Sequence, residues 1–195
     1  MVSGRHGNGK EKLTMSGFEE KEYKVFDLFE KQWALVTAGN MERFNSCTVA
    51  WGSLGTIFSR PGHSGPTATV YLHPSRYTKE IRMGSEFFTV SFLQEQCRKA
   101  YGVMGSRSGR DHDKAAEAGL TPVAMGKAVT YEEAELVFLC RKIYQHQFTK
   151  SDLAKEVCDY YIAHPEVYPP DENGVWQPHW VFMGDILEVR DKRQD

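Results

Sequence analysis

FFTVSF, residues 87–92, decides the fold class. Phe88, Val90 and Phe92 alternate with Phe87, Thr89 and Ser91, and a period of two places successive side chains on opposite faces of a strand. One face is apolar and the other carries hydroxyls, which suits a sheet packed on one side and turned to a cleft or an interface on the other. Five more runs of strand character flank it: WALVT at 33–37, SCTVAW at 46–51, TATVYL at 67–72, ELVFLCRKIY at 135–144 and WVFMGDILEV at 180–189. Ala38-Gly39-Asn40 marks a turn after the first, and Gly184 marks a bulge or a close approach within the last.

Helical segments are fewer. The spacing predicts helices over residues 75–83, 94–103, 111–118 and 150–164. The third begins on acidic residues and stops at Gly119 and Pro122; the fourth carries Leu153, Val157, Tyr160 and Tyr161 on one side and ends before Pro165. Residues 165–178, PEVYPPDENGVWQP, hold four prolines and read as a long surface loop. Strands with short helical inserts, without regular βαβ alternation, predict a mainly β, antiparallel barrel.

The chain has 195 residues, enough for a single domain over residues 15–195 with a core that needs no disulfide or metal. Lys plus Arg total 24 against 26 Asp plus Glu, so the net charge of −2 gives no reason to expect nucleic acid or an anionic membrane as partner. Cys47, Cys97, Cys140 and Cys158 form no C-x-x-C and match no zinc or iron–sulfur spacing, which predicts reduced thiols, a cytoplasmic location and no metal site. No run of about 18 apolar residues predicts a membrane span, and no signal peptide is read. Residues 1–14, MVSGRHGNGKEKLT, read as a disordered leader or tag. Within them Gly4 to Lys10 imitates a phosphate loop, but Glu11 replaces the required hydroxyl residue and no strand precedes it.

Three segments carry candidate chemistry. In VYLHPSRYTKEI, residues 70–81, a strand ends at Pro74 and Ser75 is placed to cap a helix whose open first turn is an anion site. Arg76 adds a planar fork for phosphate oxygens, and Thr78 a second hydroxyl; the plain alternative is a capped surface helix with a solvated arginine. SRSGRDHD, residues 106–113, followed by Lys114, crowds basic residues, serines and a glycine into one loop, either completing a phosphate pocket or remaining a charged surface loop. FNSCTVAWGSLG, residues 44–55, offers Asn45, Ser46 and Thr48 beside Trp51, the mixture of amide, hydroxyl and aromatic groups that a flavin ring needs, although an ordinary strand with a core aromatic has the same composition.

Taken in order with EFFTVSF, GSRSGRDHDKAAEAGLTP, EEAELVFLCRK and HWVFMGDILEV, these segments resemble the flavin reductase-like family of FMN-binding split barrels, which includes flavoredoxin-type proteins. The resemblance implies a six-stranded, Greek-key split β-barrel that dimerises with FMN near the subunit interface. It implies that Asn45, Ser46, Cys47, Thr48 and Trp51 run beside the isoalloxazine ring. By the same resemblance Ser75, Arg76, Tyr77 and Thr78 hold the phosphate, the strand with Ser91 borders the cofactor, Asp113 and Lys114 lie near the phosphate or ribityl chain, and His179 lies near the exposed flavin face. Residues 146–178 look expanded against compact members, as a lid or an extra interface element. The implied activity is an NAD(P)H-dependent flavin or small-acceptor reductase, a homodimer passing hydride through flavin N5 to an unknown electron acceptor, with no side-chain nucleophile. The alternative within the family is a non-enzymatic FMN electron carrier, like flavoredoxin, reduced by a protein partner. A pyridoxamine phosphate oxidase-like protein would share the phosphate grip, but the motif set favours the flavin reductase branch.

Overall fold

The computed structural model describes residues 17–60 and 63–193; the expected leader, residues 1–14, lies outside them. The chain runs β1 (Ala34–Asn40), β2 (Arg43–Val49), β3 (Gly52–Arg60), β4 (His63–Leu72), α1 (Tyr77–Gly84), β5 (Phe87–Leu93), α2 (Ala100–Ser106), α3 (Lys114–Glu117), β6 (Pro122–Met125), β7 (Ala128–Tyr131), β8 (Ala134–Gln147), α4 (Lys155–Ala163) and β9 (Trp180–Asp191). A short π-helical turn, Asp27–Gln32, leads into β1.

Seven strands form one antiparallel sheet in the order β2-β1-β5-β8-β9-β4-β3. The order departs from the sequence as a Greek key does, and β2 and β3 end it without pairing with each other, so the barrel is split. The resemblance implies six strands; the seventh is β3, which begins at Gly52, just where the expected strand 46–51 stops. β6 and β7 form a separate hairpin, also unforeseen.

Alternation along the strands sends side chains into two cores. Val36, Phe88, Val90, Phe92, Phe138 and Phe182 fill the barrel interior, each fully buried. Leu35, Val137 and Leu139 point the other way, against Tyr101 and Met104 of α2 and Tyr131 of β7. Burying each of these large apolar side chains contributes about 1.5–3 kcal/mol. Gly184 is a close approach, as expected: a Cβ there would lie 2.5 Å from the Phe88 ring and 2.8 Å from Cys140 Cβ. The ladder between β8 and β9 shifts register beside it, between Lys142 and Tyr144.

Several local expectations fail. The expected turn Ala38-Gly39-Asn40 is the end of β1, and the helix expected over 94–103 is a 3-10 turn, Glu95–Cys97, followed by α2. The Thr89/Ser91 face meets no cleft, because β7 covers it: Thr89 Oγ1 donates to Val129 O at 2.6 Å, and Ser91 Oγ shares a hydrogen with Thr130 Oγ1 at 2.9 Å. The helix after Pro74 begins at Tyr77, later than predicted, with Arg76 at its N-cap in extended geometry and no side-chain cap. Ser75 Oγ instead lies 2.8 Å from His73 Nδ1, and Arg76 N donates to His73 O at 3.0 Å, so the residues before α1 form a turn and not its first helical turn.

Candidate functional site

The end of β2, the turn 73–76, the 105–109 loop and the start of α3 converge on a polar cavity of about 80 Å3. An aromatic cavity of about 120 Å3 lies beside it, and the two share Cys47 and Arg76. No aspartate or glutamate lines either one.

Three elements build the polar half. Arg76 is held across it by Nη1 donating to Gly105 O at 2.8 Å. Lys114, the first residue of α3, is buried; its Nζ donates to Ser46 O at 2.5 Å and Met104 O at 3.0 Å. An ammonium has three hydrogens, so one remains after those two bonds. Burial, and then the neighbouring Arg76 charge, lower its pKa, while Cys47 opposes the shift. Asp113 supplies the α3 cap, its side chain accepting from Ala116 N at 3.1 Å, and faces away from the cavity lining. Asn45 Nδ2 donates to Thr78 Oγ1 at 2.6 Å, joining β2 to α1. The loop can lie against Asn45 only because residue 109 is glycine: a Cβ there would sit 1.9 Å from Asn45 Oδ1.

The basic loop is largely neutralised by acids. Arg110 pairs with Glu80, His112 Nδ1 with Glu117 at 2.7 Å, and Arg107 with Glu117 at 3.8 Å. Ser106, Arg107 and Ser108 still line the polar cavity. The cations directed into it without a carboxylate partner are therefore Arg76 and Lys114.

The aromatic half holds Trp51, His73, Tyr168 and His179, with Thr48 and Cys47 from β2. Tyr168 is stacked on His73, centroids 4.5 Å apart and planes 16° apart, and meets His179 edge-on at 4.6 Å. Trp51 lies 4.8 Å from His179. Burial first, then the Arg76 charge, push the His73 pKa down to about 4; for His179, burial, then His73, then Arg76 push it down to about 3. Both imidazoles are therefore neutral near pH 7. His73 is buried; Ser75 engages its Nδ1, and a backbone hydrogen bond with Gln177 partly opposes the fall in its pKa. Burial also pushes the Cys47 thiol up, so it is not a thiolate.

Of the residues singled out from the sequence, Asn45, Cys47, Ser75, Arg76, Tyr77, Thr78 and Lys114 line the polar cavity, and Cys47, Thr48, Trp51, Arg76 and His179 the aromatic one. Ser46 and Ser91 line neither. Ser46 Oγ is tied to Thr37 at 2.7 Å and to Tyr131 at 2.6 Å, although its carbonyl receives Lys114. Ser91 is consumed by Thr130 on the outer face of the barrel sheet. The sequence reading missed His73, Gly105 and Tyr168. His73 lies in the same VYLHPSRYTKEI segment, three residues before Arg76, and is the readable one; Tyr168 is brought in from nearly a hundred residues away by the pairing of β8 and β9.

The donor set fits the phosphate and polar edge of a flavin nucleotide: two cations, several hydroxyls and no carboxylate, beside an aromatic half. A model for the flavin reductase-like domain matches residues 26–195. No curated protein matches the chain by sequence. Among solved structures, an FMN-binding protein from Thermus thermophilus superposes with a TM-score of 0.58 at 19% identity, covering 98% of this chain and 81% of its own. Flavoredoxin from Desulfovibrio vulgaris (Miyazaki F) gives 0.57 at 21% identity, covering 87% and 73%. A nitrilotriacetate monooxygenase component B homolog from Mycobacterium thermoresistibile gives 0.57 at 13%, covering 84% and 71%. At such identities these likenesses speak to the fold.

Proposed function

The chain belongs to the flavin reductase-like domain family, and from that premise we propose that it binds FMN and works as an NAD(P)H-dependent reductase of flavin or another small acceptor. The observation that carries the proposal is the convergence of Arg76 and buried Lys114 on a carboxylate-free cavity that shares Cys47 and Arg76 with an aromatic one. A phosphorylated tail and a flat ring are the ligand features those two halves complement.

When bound, FMN supplies hydride and electron transfer at its own ring; the protein supplies binding, orientation and electrostatics. Arg76 is preset by Gly105 O, so its fork need not be ordered when the phosphate arrives. Lys114, fixed by two carbonyls, places positive charge beside β2 and keeps a hydrogen for a ligand acceptor. Trp51, Thr48 and the two histidines line the ring half, offering it aromatic surface and a hydroxyl. Neutral His179 carries one N–H and one lone pair, and neutral His73, whose Nδ1 accepts from Ser75 N, carries its hydrogen on Nε2; neither adds charge. With no activated thiol or hydroxyl beside them, the side chains orient and bind while the cofactor carries the chemistry.

The deciding experiment is a visible spectrum of the purified protein with FMN, followed by anaerobic addition of NADH or NADPH. Flavin absorbance at about one FMN per chain with micromolar or tighter binding, and its bleaching by either nicotinamide, are the expected results. No binding at tens of micromolar FMN would sink the cofactor assignment. Binding without bleaching favours the second reading, an electron carrier reduced by a partner protein, for which the likeness to flavoredoxin is the support.

A further inference from the structure

The segment between β8 and β9 leaves and rejoins the barrel at one place. Gln147 Nε2 donates to Pro178 O at 2.9 Å, and Phe148 N to His179 O at 3.0 Å. Beyond that clamp and a backbone hydrogen bond between Gln177 and His73, the segment bonds to itself. Asp171 accepts from Asn173 N, Val175 N and Gln177 Nε2, and Val167 N donates to His164 O. Among the described residues, no hydrogen bond or ion pair joins residues 155–175 to a strand of the barrel.

Rings hold it down instead. Tyr168 lies on His73, edge-on to His179 and 6.2 Å from Trp51. Tyr161 reaches Trp51 at 6.5 Å and is itself stacked on Trp176 at 5.2 Å. Such contacts lack the directionality of a strand ladder, so the segment is the part of this site that moves most readily. Tyr168 also occupies space. Two rings stacked at 4.5 Å admit no third between them, and the aromatic and polar cavities, about 120 and 80 Å3, fall short of the roughly 300 Å3 of a small ligand pocket. The polar groups for a flavin nucleotide are in place while the ring slot is filled by a side chain of the protein.

The geometry points to Tyr168 as a gate on this site: seated on His73 it closes the ring half of the cavity, and a planar guest enters only as the segment carrying it lifts away. This rests on the FMN reading above and adds to it which residue controls entry of the ring. The gate acts on the ring and not on the phosphate, so FMN and riboflavin should feel it equally.

The test is stopped-flow quenching of flavin fluorescence with FMN and with riboflavin, using wild type, Tyr168→Ala and Tyr168→Phe. A gate that is closed most of the time lowers the association rate by the open fraction. Tyr168→Ala should therefore speed association of both flavins by about tenfold or more, while Tyr168→Phe, which keeps the ring, stays within about threefold of wild type. Unchanged or slower association for Tyr168→Ala overturns the gate and makes Tyr168 a supporting wall. A second measurement needs no variant: a protease specific for glutamate should cut wild type at the exposed Glu166 and Glu172 faster with FMN bound, since Tyr168 cannot return to His73. Protection or no change counts against the gate. Normal FMN binding without these effects removes the gate and leaves the cofactor reading standing; no flavin binding by any of the three proteins removes both.

Discussion

At the scale of single residues, Arg76 meets two demands: its guanidinium spans the polar cavity to Gly105 O and still faces the space where an anion would sit. Arg76→Ala is expected to weaken FMN binding by about 2–4 kcal/mol, and Arg76→Lys to recover part of that, because an ammonium lacks the planar fork. The bond to Gly105 O adds a cost in the apoprotein of about 1 kcal/mol, seen in urea unfolding. Equal FMN dissociation constants for wild type and Arg76→Ala would place the phosphate elsewhere. His73 and His179 make a pH prediction. Their folded pKa values, about 4 and about 3, lie below the unfolded 6.5, so between these values the unfolded chain binds more protons. Stability is full above pH 6.5 and falls as the pH drops toward 4 and then 3, by a few kcal/mol in all. Unfolding curves at pH 7 and 4.5 should differ less for His73→Gln combined with His179→Gln than for wild type. Arg76 and Lys114 were legible because charge and local spacing advertise them. Ser91 misled because a hydroxyl facing a cavity and a hydroxyl facing another strand look alike in an alternating pattern; only the position of Thr130 separates them.

Elements show the same boundary between local and distant information. β5 was readable because it buries nearly its whole length, and β8 and β9 because their first halves bury apolar runs. β3 was not: GSLGTIFSR has little apolar alternation and is held by its pairing with β4. The four-residue strands β6 and β7 are too short to show a period, yet they cover the outer core. α1 was expected two residues early because Ser75 looks like a cap, and His73 claims its hydroxyl first. Two substitutions test how elements are joined. Gly184→Ala drives a Cβ into Phe88 and Cys140 across the sheet and should cost about 1–3 kcal/mol, or more where the strands cannot part, read as a lowered unfolding midpoint. Tyr131→Phe removes the phenol that binds β7 to Ser46 of β2; with Thr37 still bonded to Ser46, about 1 kcal/mol is expected by the same measurement.

For the whole molecule the open proposal is assembly. Trp51, Phe58 and Leu187 are 42%, 53% and 48% exposed, apolar groups on β3, β9 and the turn before β3 that a second copy would cover. A homodimer is expected, and sedimentation velocity of a monomer at high micromolar concentration would refute it. No helix among the described residues is long and apolar enough to cross a membrane. The clamp at Gln147, Phe148, Pro178 and His179 has a consequence for how such a chain can diverge. Because the segment's two ends already touch, its interior is a tether whose length hardly matters: doubling a loop adds only about 0.6 kcal/mol of closure entropy. The segment can thus be shortened, extended or exchanged as a unit while β8 and β9 stay paired. Excising residues 150–176 and bridging the gap with a short glycine–asparagine turn should leave a cooperatively folding barrel, so that this segment and the barrel's stability vary independently in one polypeptide.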